Sequence, residues 1–236
     1  MIFRLLCIFL FIQLPLFDQS QERFSQKHLM GKGDPKFYSE TISLLPEVGK
    51  AFKAMQKEAL KEGIKIEIVS AYRSYNRQKK IWNSKFQSNA EKGLNPEQNI
   101  NKIIEYSTIP GTSRHHWGTD VDIIDGNKPK NGDVLLEKKF HGNGPYVELR
   151  KWMDTNANQF GFYKPYTKDH NRKGFNYEPW HYSYAPLAIP MLKEYLKLEL
   201  NLLLLSENLE GKSYISTRFL SRYLEENILG ISASLK

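Results

Sequence analysis

One stretch decides the fold prediction: Ser113-Arg114-His115-His116-Trp117-Gly118-Thr119-Asp120-Val121-Asp122. A loop of Pro110, Gly111 and Thr112 leads into it. The apolar residues that flank Asp122 predict a strand. A loop histidine, His115, and a strand carboxylate, Asp122, can therefore converge on one metal ion.

A second cluster, Glu178-Pro179-Trp180-His181-Tyr182, brings a carboxylate and an imidazole close together. A catalytic zinc uses three ligands from His, Asp or Glu and leaves one position for water. Two histidines and Asp122 would supply those ligands, and Glu178 would supply the base. Arg73 follows a predicted strand and is the candidate cation for an oxyanion or a substrate carboxylate.

Each of these residues also has an ordinary structural explanation. A lone histidine is usually a packing or surface residue, and we interpret His28, His141 and His170 in that way. Asp122 could cap a turn, Glu178 could form a salt bridge, and Arg73 could be a surface charge. The combination of all of them favours a metal site.

Composition indicates one globular domain with extensions, because the chain has 236 residues and is 40% hydrophobic. Residues 1–20 predict a signal peptide, since the apolar run is shorter than a membrane span. A buried or anchoring N-terminal helix is the alternative. We therefore expect an exported protein of the periplasm or cell envelope, with no membrane span in its mature form.

Charge and cysteine content restrict the chemistry further. The net charge of +8 favours anionic partners such as cell-wall material, and no basic helix interleaved with aromatics indicates nucleic-acid binding. Cys7 is the single cysteine, and it lies in the predicted signal segment. Removal of that segment would leave the mature protein without a thiolate, so a metal site would consist of His, Asp and Glu.

Periodicity predicts several elements around these clusters. We expect a helix from Pro46 to Glu62, a strand over residues 64–69, and a helix capped by Ser74. Another helix is predicted from Tyr146 to Gln159. From Pro186 a Leu-rich helix is apolar on most faces, which requires a cover, and residues 212–236 predict a further short helical tail.

Two well-known peptidase chemistries have no signature in this sequence. Serine D,D-peptidases need S-x-x-K, and no serine here has a lysine three positions later. The G-x-S-x-G and H-E-x-x-H patterns are also absent from the sequence. These absences argue against a penicillin-binding serine enzyme and a thermolysin-type zinc enzyme.

The sequence resembles the VanY-type zinc D-Ala-D-Ala carboxypeptidases, a group related to lysostaphin-like peptidases and the hedgehog domain. The family motif S-x-H-x-x-G-x-A-x-D is matched by Ser113, His115, Gly118 and Asp122. The E-x-W-H motif is matched at residues 178–181. A third stretch, S-x-Y-R-S-x-x-x-Q, runs from Ser70 to Gln78, so the resemblance covers roughly residues 45–185.

The resemblance implies an α+β fold in which helices surround a small antiparallel sheet that bears the zinc. It implies that His115, Asp122 and His181 bind Zn²⁺. Glu178 would act as general base and proton donor, and Arg73 would stabilise the transition state or anchor the substrate. The implied substrate-binding residues are Ser113, Gln78, Tyr72 and Trp180. The implied domains are a lead-in (21–44), the catalytic domain (45–185) and a helical C-terminal extension (186–236).

Asp120 departs from the family pattern, which usually has alanine at that position. On a strand Asp120 and Asp122 point to the same face, so Asp120 is expected to hold a ligand histidine. Replacement of Asp122 as a ligand is the alternative. His116 and Trp117 are candidates for the pocket wall or for packing of the loop.

The implied function is removal of the terminal D-alanine from peptidoglycan stem peptides. L,D-carboxypeptidase and cross-link endopeptidase activities fit the same site, and residues 126–145 are expected to influence this choice. A zinc-containing binding module without activity is the alternative from another class. The sequence makes no prediction of oligomeric state.

Overall fold

The computed structural model describes residues 24–236, so the predicted signal segment lies outside the described residues. The helices are α1 (Gln26–Leu29), α2 (Pro46–Lys61), α3 (Tyr75–Glu91), α4 (Pro96–Ile103), α5 (Val147–Asn156), α6 (Ala185–Tyr195), α7 (Leu200–Leu205) and α8 (Thr217–Tyr223). The strands are β1 (Ile66–Ser70), β2 (Asp120–Asp125), β3 (Phe162–Tyr163) and β4 (His181–Tyr184). Helices around one antiparallel sheet confirm the predicted α+β class. Within residues 24–236, no helix has the length and apolar content needed to cross a membrane.

The helix predicted over residues 46–62 is confirmed as α2. It begins at Pro46, which suits a first turn where the amide has no helical partner. The strand predicted over 64–69 begins later, at Ile66. The reason is that the amide of Ile64 still donates to the carbonyl of Ala59, 3.1 Å away, and so closes the end of α2.

Two further helix predictions are confirmed. The hydroxyl of Ser74 accepts from the amide of Arg77 at 3.3 Å and caps α3. The predicted helix 146–159 appears as α5 followed by a 3₁₀ turn over Ala157–Phe160. Gly161 then adopts φ of 82°, a left-handed conformation that ends the helix.

The prediction of one continuous Leu-rich helix after Pro186 is wrong. The structure has two helices, α6 and α7, separated by a turn over residues 196–199. The turn redirects the chain so that Leu200 and Leu204 are buried, while Leu202 is left 70% exposed. Beyond it, α8 continues into a π-helical turn over Leu224–Ile228, which confirms a short helical tail.

The sheet has the order β1-β2-β4-β3, with β2 and β4 at its centre. On β2, Asp122 pairs with Ser70 of β1 on one side and with His181 of β4 on the other. Asp120 pairs with Ser183. Because side chains alternate along a strand, these residues form two adjacent polar rows on one face of the sheet.

The C-terminal helices hold the loop that leads into the metal motif. The Tyr223 hydroxyl accepts from the amide of Ile109 at 3.1 Å and shares a 2.8 Å hydrogen bond with Thr112 Oγ1. The Tyr195 hydroxyl donates to the carbonyl of Gly111 at 2.8 Å. A shared apolar core surrounds these contacts and includes Leu29, Trp82, Ile103, Trp117, Leu192 and Leu220. The C-terminal helices α6 to α8 therefore pack against the predicted catalytic domain. The limits of that domain stay a prediction.

Replacing Tyr223 with phenylalanine is expected to lower the free energy of unfolding by about 1–3 kcal/mol, because the buried amide of Ile109 loses its acceptor. Urea unfolding of the two proteins measures this difference. Tyr214→Phe is the control, since that side chain is 52% exposed, and it should change stability by less than about 0.5 kcal/mol. Equal stability of Tyr223→Phe and the parent protein would contradict the role of Tyr223.

Candidate metal centre

Three buried side chains from three parts of the chain meet on the polar face of the sheet. His115 lies in a 3₁₀ turn, Asp122 on β2 and His181 at the start of β4. Each offers one ligand atom, and these atoms lie within 4.8 Å of one another. The structure thus brings together the three residues that were expected to bind the metal.

The ring of His115 is oriented by the backbone. Its Nδ1 donates to the carbonyl of Ala71 at 2.8 Å, which leaves Nε2 facing Asp122 Oδ2 at 3.3 Å. The amide of Arg73 donates to the carbonyl of His115 at 3.0 Å. Two hydrogen bonds therefore join His115 to the segment 71–73. A fixed Nδ1 proton defines which nitrogen is free to bind a metal.

His181 is oriented in the opposite sense. Its Nε2 donates to Asp120 Oδ1 at 3.0 Å, while Nδ1 lies 3.7 Å from Asp122 Oδ1 and 2.8 Å from Glu178 Oε2. Burial opposes a charge on this imidazole, but hydrogen bonds to Asp120 and Glu178 outweigh it and raise the pKa of His181 to about 10. A metal that binds Nδ1 must therefore displace a proton.

One observation within the site indicates that these three side chains suit zinc. Asp122 Oδ1 is buried and has no hydrogen-bond partner among residues 24–236. Buried polar atoms without a partner are rare and need an explanation, which a metal ion at this point provides. Two imidazoles and a carboxylate are a ligand set that zinc accepts in catalytic sites.

Glu178 lies beside this set, with its Oε2 2.8 Å from His181 Nδ1. Its carboxylate is buried, and burial raises its pKa above the usual range, while the hydrogen bond from His181 opposes the rise. A carboxyl group with a raised pKa can both accept and return a proton near neutral pH.

Asp120 is the centre of the second polar row. It is fully buried, and its four hydrogen-bond donors are Arg114 Nε, His181 Nε2, Thr119 Oγ1 and Ser183 Oγ. Burial alone would raise the pKa of Asp120, but the charge of Arg114 and the contact with His181 hold it below its usual range. None of these four contacts involves His115, Asp122 or the Nδ1 atom of His181, so Asp120 holds His181 through Nε2 and leaves Nδ1 toward Asp122.

Arg73 reaches the cluster from the end of β1. Its Nη2 lies 3.9 Å from Asp122 Oδ2 and donates to Ser70 Oγ at 3.0 Å. Its Nη1 donates to Gln78 Oε1 at 2.9 Å. Gln78 is itself fully buried and holds Arg73 in place, and a contact of Gln78 with substrate stays a prediction.

The remaining expected pocket residues divide into two groups. Ser113 and Trp180 line the cavity beside the three ligands. Tyr72 does not, because its ring packs against Phe37 with centroids 4.9 Å apart and its hydroxyl points to the carbonyl of Gly33. Substrate binding by Tyr72 stays a prediction.

His116 and Trp117 pack the loop and do not line this cavity. His116 Nδ1 donates to the carbonyl of Arg73 at 2.5 Å, and its Nε2 accepts from the amide of Gly111 at 3.1 Å. Burial lowers the pKa of His116 to about 3, which keeps this bridging imidazole neutral. Trp117 Nε1 donates to the carbonyl of Leu29 at 3.1 Å.

Sequence reasoning missed Tyr166 and Arg114. Tyr166 is 4% exposed, lines the cavity and packs its ring edge-on against His181 with centroids 5.1 Å apart. It lies outside the recognised motifs, so no pattern distinguishes it from other tyrosines. Arg114 could have been paired with Asp120, because a carboxylate that replaces a small residue in a buried strand needs a nearby cation.

Removal of one member of the buried Arg114–Asp120 pair should be far more damaging than removal of both. Asp120→Ala is expected to lower the free energy of unfolding by about 3–5 kcal/mol, because it leaves the Arg114 guanidinium buried and unpaired. Adding Arg114→Met should restore a large part of that loss. Urea unfolding of the metal-free proteins measures both effects.

The control for this pair is Glu58→Ala, which removes an exposed ion pair with Lys61 and should change stability by at most about 1 kcal/mol. Additive losses in the Arg114→Met, Asp120→Ala double variant would contradict the coupling of the two residues.

Known proteins are similar to this chain in sequence and in fold. The family described as VanY, D-alanyl-D-alanine carboxypeptidase, matches residues 41–187. The putative carboxypeptidase YodJ of Bacillus subtilis (strain 168) is 34% identical over 140 residues, which cover 59% of this chain and 45% of that protein. A D-alanyl-D-alanine carboxypeptidase of Enterococcus faecalis (strain V583) is 30% identical over 147 residues, 58% of this chain and 50% of that protein.

The chain spans about half the length of these two curated relatives. A solved structure shares the fold: a mutant of the D,D-pentapeptidase VanY from a VanB-type vancomycin-resistance cassette, in complex with Zn(II). It has a TM-score of 0.52 and 23% identity over 70% of this chain and 85% of that one. The family match covers more than half of the sequence and contains all three ligand candidates together with Glu178 and Arg73. The chain therefore belongs to the VanY family of D-alanyl-D-alanine carboxypeptidases.

Proposed function

We propose that this protein is a zinc-dependent carboxypeptidase that removes the terminal D-alanine from peptidoglycan stem peptides. The observation that carries the proposal is the buried Asp122 Oδ1, which has no hydrogen-bond partner within residues 24–236 and lies between His115 and His181, with Glu178 beside it. Membership of the VanY family supports the same activity. Stem peptides lie in the cell envelope, so export of the chain is part of the proposal.

His115 Nε2, Asp122 and His181 Nδ1 would hold the zinc. When bound, the metal supplies a polarised water and a Lewis acid for the scissile carbonyl. Glu178 accepts the proton of the attacking water and returns it to the leaving amine, which its raised pKa permits. Asp120 and the Ala71 carbonyl keep the two rings aimed inward throughout.

Arg73 supplies positive charge near Asp122, with its Nη2 3.9 Å from Asp122 Oδ2. Its guanidinium is fixed by Gln78 and Ser70, so no reorganisation is needed when negative charge develops on the substrate. The Tyr166 phenol adds a neutral donor, because burial raises its pKa well above the usual range. Both groups suit a peptide that ends in a free carboxylate.

Glu178→Gln is expected to lower kcat for D-alanine release from a stem pentapeptide by roughly 10²–10⁴-fold, because the amide cannot accept the proton of water. Release of free D-alanine by the zinc-loaded protein measures this. Zinc content is the control and should stay at one ion per chain, since the substitution changes none of the three ligands.

The same assay run on the tetrapeptide and on a cross-linked dimer separates the related activities. Release from the tetrapeptide alone would move the substrate to an L,D bond. Cleavage of the dimer alone would indicate an endopeptidase. Zinc binding with no hydrolysis of any of the three would contradict the proposal and favour a binding module.

A further inference from the structure

The cavity at the metal centre extends well beyond the three ligands. Its volume is about 440 Å³, within the range of about 300–1,000 Å³ that is usual for small-ligand sites. It contains His115, Asp122 and His181. It is also lined by Lys85 of α3 and by Asp133, Leu135, Leu136 and Glu137, which together we call its rim; Lys85 and Asp133 are exposed.

Lys85 makes no hydrogen bond or ion pair with any residue of the described range 24–236, although it lines this cavity. Its pKa is lowered, first because the cavity walls remove water from the ammonium and then because Arg73 repels it. Glu178 and Asp133 act in the other direction. Lys85 is thus a cation that lies within electrostatic reach of the reacting groups and has no partner of its own.

Asp133 offers the complementary charge on the same rim. Its Oδ1 accepts from the amide of Leu135 at 3.0 Å, and no cation binds it among the residues that the structure describes. The neighbouring Glu137 differs, because Lys168 Nζ lies 2.6 Å from its Oε1. The rim therefore presents an ammonium and a carboxylate that are close enough to interact but are not bonded to each other.

The position of Lys85 and Asp133 in the cavity indicates which residue of a stem peptide they would contact. This step rests on the proposed function. An extended chain advances about 3.3–3.6 Å per residue. With the terminal residue at the metal and Arg73, an extended peptide continues along the same cavity, and the residue two positions before the cleaved bond is the one that the rim charges would meet. In stem peptides this third residue is a diamino acid, either lysine or diaminopimelate.

The two diamino acids differ at the end of the side chain. Lysine ends in an ammonium alone, whereas diaminopimelate ends in an ammonium and a carboxylate on one carbon. An ammonium side chain placed against Lys85 would be repelled, and a zwitterionic end would satisfy both rim charges. We propose that Lys85 and Asp133 bind the zwitterionic side-chain end of a diaminopimelate residue at position three of the stem peptide.

The test measures binding of synthetic pentapeptides to the zinc-loaded Glu178→Gln protein by calorimetry. One peptide carries diaminopimelate, a second carries lysine, and a third carries diaminopimelate with isoglutamine in place of isoglutamate. The first and third should bind roughly tenfold tighter than the second, as expected for one charge-assisted contact. Adding Lys85→Met should remove that advantage by weakening the binding of the diaminopimelate peptides, while the lysine peptide, no longer repelled, should bind as well as before or slightly tighter.

Lys80→Met is the matched control, because Lys80 lies on the same helix but does not line the cavity. Equal affinity for the first two peptides, equal loss on both in Lys85→Met, or no binding of any peptide would overturn the proposal. A loss confined to the isoglutamine peptide would also overturn it, since the bound carboxylate would belong to residue two. Preferential binding without hydrolysis by the parent protein would contradict the proposed function but support the subsite.

Discussion

The pairing of Asp122 with His181 across two antiparallel strands is the constraint on which the rest of the site depends. It places a carboxylate and an imidazole side by side on one face of the sheet, and the pairing of Ser70 with Asp122 brings Arg73 to the same point. A shift of one residue in either register would turn these side chains to the other face. The packing of the apolar face against α2 and α5 opposes such a shift.

Burial of so many ionisable groups requires that each be satisfied. Asp120 is paired with Arg114, and Arg73 is held by Gln78 and Ser70. Within residues 24–236, the buried side-chain atoms without a hydrogen-bond partner include Asp122 Oδ1 at the centre of the site and Thr108 Oγ1, whose residue lines the same cavity. Arg114 Nη1, in the network around Asp120, also has no partner in that range, so the free acceptor at the position of the metal is Asp122 Oδ1.

The sequence was sufficient to predict the elements whose signals are local. Pro46, Ser74 and Gly161 mark helix ends, and Val121 to Ile124 mark a buried strand, because caps and periodicity act over a few residues. The motifs also predicted which residues meet at the centre. The α6–α7 turn, the contacts of Tyr195 and Tyr223 with the 109–112 loop, and the cavity position of Tyr166 depend on distant packing. No local pattern encodes them.

The central claim is that one zinc ion is bound by two imidazoles and a carboxylate on this sheet. X-ray absorption at the zinc edge of the protein loaded with one equivalent of metal tests it most directly. We expect two imidazole nitrogens at about 2.0–2.1 Å, oxygen atoms in the remaining positions and no sulfur. The imidazole signal should fall to one ring in His181→Ala. A sulfur ligand, a third imidazole, or a spectrum unchanged in His181→Ala would contradict it.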